Sequence, residues 1–104
     1  MTMALVNIES ALRKVLNSLK KAQEGSGLEM LSYKRNRGIT VLKESPDSFV
    51  LRERGYENQE ISCSSKELQR YLKTMMKREF PRSRKVRIYM LADTSMAGIQ
   101  RKKL

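Results

Sequence analysis

The chain has 104 residues, of which 39% are hydrophobic and 32% charged, with a single cysteine and no histidine. That length suits one domain able to bury its own core without cross-links, and a lone cysteine excludes an internal disulfide. Lys and Arg total 22 against 11 Asp and Glu, a net charge of +11, which repels itself and favours a polyanionic partner such as nucleic acid, an acidic protein or an anionic membrane surface.

Residues Asn7 to Gln23 are expected to form the first helix. Leu5, Ile8, Leu12, Val15, Leu16, Leu19 and Ala22 recur at spacings of three and four, which gathers them on one face. Asn7 is placed to cap it, and Gly25-Ser26-Gly27 to stop it. Leu28 to Tyr33 is expected as a strand. Lys34-Arg35-Asn36-Arg37-Gly38 then makes a turn, with Asn36 or Gly38 suited to positive φ. Ile39 to Lys43 returns as a strand rich in β-branched residues. Ser45-Pro46-Asp47-Ser48 is a turn with proline at its second position. Phe49 to Arg54 forms a third strand, Gly55 to Asn58 a turn, and Gln59 to Cys63 a short fourth strand.

Ser64 and Glu67 make an S-x-x-E capping box before Leu68, Tyr71, Leu72, Met75 and Met76, which sit at helical spacing. Pro81 ends this second helix, because the residue before a proline is pushed out of the α region. Lys85 to Leu91 is a strand with Val86, Ile88 and Met90 on one face. The fold class expected is therefore α+β, in the order α-β-β-β-β-α-β. It is a two-layer arrangement of a mainly antiparallel, four- to five-stranded sheet with both helices on one face. Leu12, Leu16, Leu68, Leu72 and Met75 are expected to be buried together. The domain spans residues 1–91, and 92–104 is expected as a flexible basic tail.

The position of the charge narrows the function. Lys66, Arg70, Lys73 and Lys77 fall within roughly 60° of one another on the second helix at about 100° per residue, opposite its apolar face. Arg78, Arg82, Arg84, Lys85 and Arg87 follow, so Lys66 to Arg87 holds nine basic residues and two acidic ones. Lys34, Arg35 and Arg37 form a second cluster in the first hairpin turn, and the two clusters could straddle a groove. Cationic side chains at a phosphate backbone release counterions, and arginine adds bidentate contact. Tyr33 and Tyr89 flank these clusters. Facing outward they would stack on bases; facing inward, which is the commoner arrangement, they would pack in the core with the hydroxyl at its edge.

Catalytic signals are missing. There is no His for general acid–base work or metal ligation, Cys63 has no catalytic or zinc partner, and the glycines form no phosphate-binding loop. The sequence predicts no enzyme, no metal and no cofactor. Glu53, Glu57 and Glu60 around a turn are expected to be solvated acids that offset local repulsion, and Cys63 to be a small buried apolar residue. No signal-peptide pattern opens the chain, and no run approaches the roughly 20 apolar residues of a membrane span. A cytoplasmic location is expected, or a nuclear one in a eukaryote.

The helix–meander–helix order resembles that of double-stranded RNA-binding domains and of the Alu-RNA-binding proteins of the signal recognition particle. The Gly-Ala-rich start of the last helix in the former is absent here, and strand Lys85–Leu91 departs from both. The function expected is a small basic nucleic-acid-binding module, with RNA favoured over DNA because no helix-turn-helix or zinc signature is present. Its interface would be Lys66, Arg70, Lys73, Lys77, Arg82, Arg84 and Arg87 with Lys34, Arg35 and Arg37. The alternative is an adaptor docking on an acidic protein; polybasic attachment to a membrane ranks last, for want of a second anchoring signal.

Overall fold

The computed structural model describes residues 3–91, so the tail expected over 92–104 lies outside the described residues. The elements are β1 (Met3–Asn7), α1 (Ile8–Lys21), β2 (Gly27–Leu31), β3 (Gly38–Ser45), β4 (Ser48–Arg54), β5 (Asn58–Ser64), α2 (Ser65–Glu79) and β6 (Lys85–Leu91). They form one six-stranded sheet in the order β1-β6-β2-β3-β4-β5, with every neighbouring pair antiparallel. The α+β class holds, but the sheet has one strand more than the upper limit expected from the sequence. A strand before the first helix also takes the order further from the two RNA-binding families it resembles.

The extra strand is β1. Leu5 continues the three-and-four spacing of Ile8 and Leu12, so its residues pass for the start of the helix. The backbone instead stays extended through Asn7, pairing Val6 with Val86 and Ala4 with Ile88. Asn7 occupies the N-cap position without a side-chain capping bond. At the other end, Ala22 is extended and Gly25 takes φ +86, which turns the chain into β2. The buried line of α1 is Ala11, Val15 and Leu19, whereas Leu12 and Leu16 are only half-buried. α1 lies on β1, β6 and β2 and also touches α2, so its apolar stripe is divided between the sheet below and the helix beside it. Leu68, Leu72 and Met75 of α2 are buried as expected.

Strand registers place Val86 and Ile88, Leu28 and Met30, Ile39 and Val41, Phe49 and Leu51, and Cys63 on the face beneath the helices. Two charged residues share that face at its margins. The Lys43 ammonium donates to the carbonyls of Leu19 (2.8 Å) and Ala22 (3.0 Å). It therefore adds a second donor to Leu19 O, which also accepts the Ala22 amide at 3.3 Å, and gives one to the C-cap carbonyl of Ala22. Glu53, 3% exposed, receives Nε and Nη2 of Arg78 at 2.7 Å each and Gln59 Nε2 at 2.8 Å. Glu53 is thus a buried structural acid and not a solvated one. The α2 start matches its expected capping box: the Ser64 amide donates to Glu67 Oε1 at 3.1 Å. The side chain of Asp47 reinforces that start by accepting from the amide and hydroxyl of Ser65.

Candidate nucleic-acid interface

Strand order decides which charges meet. β6 lies beside β2 and antiparallel to it, with Leu31 opposite Arg87. The chain leaving β2 and the chain entering β6 therefore sit at the same end of the sheet. The first carries the turn Ser32–Arg37 and the second the link Phe80–Arg84. Between them lies a cleft of about 840 Å³ bordered by Tyr33, Lys34, Arg37, Arg82, Arg84 and Lys85, with Ser32, Asn36, Glu79, Pro81 and Ser83 completing its walls.

The β2–β3 turn is tightly organised. Ser32 N donates to Arg37 O at 3.0 Å, and Arg35 N to Ser32 O at 2.9 Å. The Ser32 hydroxyl donates to Asn36 Oδ1 at 2.9 Å and accepts from Arg37 N at 3.3 Å. The residue with positive φ is Arg35, at 64°, rather than Asn36 or Gly38. The Ser32 bonds hold Asn36 by its side chain and leave the left-handed corner to the arginine before it. A residue with a Cβ pays about 1–2 kcal/mol there, so the turn presents this cation from a strained backbone.

The opposite wall is fixed by backbone bonds. Phe80 N donates to Met76 O at 2.8 Å, Ser83 N to Phe80 O at 3.3 Å, and Ile8 N to Arg84 O at 2.8 Å. The first ties the link to the end of α2, and the last ties it to the start of α1. The two walls touch where Arg37 Nη1 reaches Glu79 O at 3.5 Å. Glu79, 2% exposed, turns its carboxylate toward the β4–β5 turn, accepting from Tyr56 N at 2.9 Å and Glu57 N at 3.0 Å. Gly55 makes room for it: a Cβ at that residue, whose φ is +148, would lie 2.3 Å from Glu79 Oε1.

Among the described residues, no carboxylate comes within ion-pairing distance of Lys34, Arg35, Arg37, Arg82, Arg84 or Lys85. Of the arginines elsewhere, Arg52 pairs with Glu60 and Arg78 with Glu53, whereas Arg13 and Arg54 have no ion pair among the described residues. Compared with protein-family models, with curated proteins and with solved structures, the chain matches none.

The ten residues singled out in the sequence divide into three groups. Lys34, Arg37, Arg82 and Arg84 line the cleft, with Arg35 at the exposed tip of the turn. Lys66, Arg70, Lys73 and Lys77 are exposed on the outward side of α2. Lys77 and Pro81 border a neighbouring hollow, so the stripe runs toward the cleft at its C-terminal end. Its charge is less free than the helical spacing suggests, because Arg70 lies 3.8 Å from Glu67 and 5.2 Å from the Tyr71 ring centroid.

Arg87 does not belong with the helix stripe. Its neighbours Val86 and Ile88 point into the core, so strand alternation sends Arg87 to the sheet face away from the helices. There its guanidinium stacks 4.8 Å from the Tyr33 ring centroid, and Nε donates to Tyr33 O at 3.2 Å. Tyr33 is 62% exposed, and Tyr89, half-buried, shares the register face of Arg87. Neither tyrosine enters the core, against the commoner arrangement. Lys85 joins the cleft from the start of β6, and the only sign of it in the sequence was its place in the basic run.

Among the described residues no cluster of acidic or sulfur side chains could hold a metal ion, and no helix is long and apolar enough to cross a membrane. Cys63 is buried, and burial, helped by the nearby Glu67 charge, raises its thiol pKa above the ordinary value.

Proposed function

We propose that this chain is a non-catalytic nucleic-acid-binding module that holds a phosphate backbone in the cleft between the β2–β3 turn and the α2–β6 link, with RNA favoured over DNA. The observation that carries this is the convergence of two basic clusters, about fifty residues apart in the chain, on one concave surface without ion-pair partners. Unpaired cations held close together repel one another, and an anion spanning them relieves that repulsion. Main-chain bonds fix both walls, so little ordering is required on binding. The α2 stripe extends the positive surface past Pro81 and would contact flanking phosphates.

The test is fluorescence anisotropy with labelled RNA across a salt series. Replacing Arg82 and Arg84 together by Gln should weaken binding and make the dependence on log salt shallower by roughly one per lost contact. The pair Arg70→Gln with Lys73→Gln should have a smaller effect, because Arg70 is already engaged by Glu67 and Tyr71. No affinity at near-physiological salt would overturn the proposal and leave an acidic protein as the partner to seek.

A further inference from the structure

Resting on that function, we propose that the cleft takes an unpaired strand, with one base stacked on the ring of Tyr33. The ring is 62% exposed, which is unusual for a side chain that gains most from burial. It is nevertheless held. The Arg87 guanidinium covers one face at 4.8 Å from the centroid, and the same arginine bonds the Tyr33 carbonyl at 3.2 Å. The ring is therefore backed by a cation, while the residue as a whole stays largely exposed.

Tyr33 also lines the cleft, immediately before Lys34 and across from Arg82, Arg84 and Lys85. Phosphate-binding cations and a mounted aromatic plane thus occupy one site. This combination suits single-stranded nucleic acid, where the backbone follows a positive groove and bases stack on aromatic side chains. In a duplex the base faces are covered by their neighbours, so the ring would find only phosphates and sugars. The Arg87 behind the ring extends the stack, since a guanidinium plane on an aromatic ring is itself attractive.

The experiment compares the intact chain, Tyr33→Leu and Tyr33→Phe for binding to a labelled oligouridine and to an RNA duplex of equal phosphate count. The intact chain should prefer the oligouridine. Tyr33→Leu should lose about tenfold or more on the single strand, the range expected for one stacked base, with an unchanged salt slope and unchanged duplex affinity. Tyr33→Phe, which keeps the ring, should retain binding within about twofold, because the stacked plane carries the effect. Thermal melts of both variants check the fold, and the exposed position makes its survival the expected result.

Equal loss on both RNAs, or none on either, would overturn the stacking role while leaving the phosphate cleft standing. A duplex preference in the intact chain would do the same. Failure of the intact chain to bind either RNA would overturn the proposed function and this inference with it.

Discussion

Glu53 shows how one side chain ties the sheet to a helix. Burial acts to raise its pKa, but the interactions with Arg78, with the neighbouring Glu79 carboxyl group and with Gln59 outweigh that effect and bring it down from 4.5 to about 2. The folded-state value lies below the ordinary one, so the stabilisation is fully present above about pH 4.5 and is lost as the pH falls toward 2. Arg78→Met should leave a buried carboxylate without its cationic partner. A loss of about 3 kcal/mol at neutral pH is expected, at the lower end for a broken buried pair because Arg78 itself is partly exposed. Acid unfolding of the variant should also begin at higher pH. Urea melts at pH 7 and pH 4 check both points, and equal stability of the two proteins would show that the pair contributes nothing. The sequence showed three acids near a turn, but no local pattern reveals that one of them lies under a helix 25 residues later.

At the scale of elements, the strong signals were those with chemistry at both ends. α2 was legible because its capping box, apolar spacing and terminating proline agree. The three turns between β2 and β5 were legible from their glycines, asparagines and proline. β1 was not, because a five-residue strand whose apolar residues run in phase with the following helix has no period of its own. α1 ends on a feature no local motif records, the ammonium of Lys43 reaching across from the sheet. Lys43→Met keeps most of the apolar stem but leaves the carbonyls of Leu19 and Ala22 without that donor. It should cost about 1–3 kcal/mol, the scale of a hydrogen bond to a charged group, read from chemical denaturation. An unchanged midpoint would mean that desolvation of the ammonium cancels its bonds.

For the whole molecule, the two basic clusters were visible as runs and a groove between them could be envisaged, but the arrangement that brings them together was not legible. It depends on β6 inserting between β1 and β2, a choice made by long-range packing. The same topology explains why Arg87 parts from Lys66 and Lys77: the helix stripe faces outward from one layer and β6 alternates to the far side of the other. The insertion of β6 also bears on how the chain acquires its structure. β2 to β5 are joined by short turns and can pair soon after synthesis, whereas β1 must wait for a partner made at the other end of the described chain. Contacts so distant in sequence close late and slowly, so β1 and the start of α1 should be the last region to become protected and the first to open. Native-state hydrogen exchange should report lower opening free energies for the amides of β1 than for those of β3 and β4, and the opposite ranking would place the nucleus at the chain ends. Until β6 arrives, the cleft has only one wall, and a partly synthesised chain carries the hairpin cluster without the surface that would let it grip a strand.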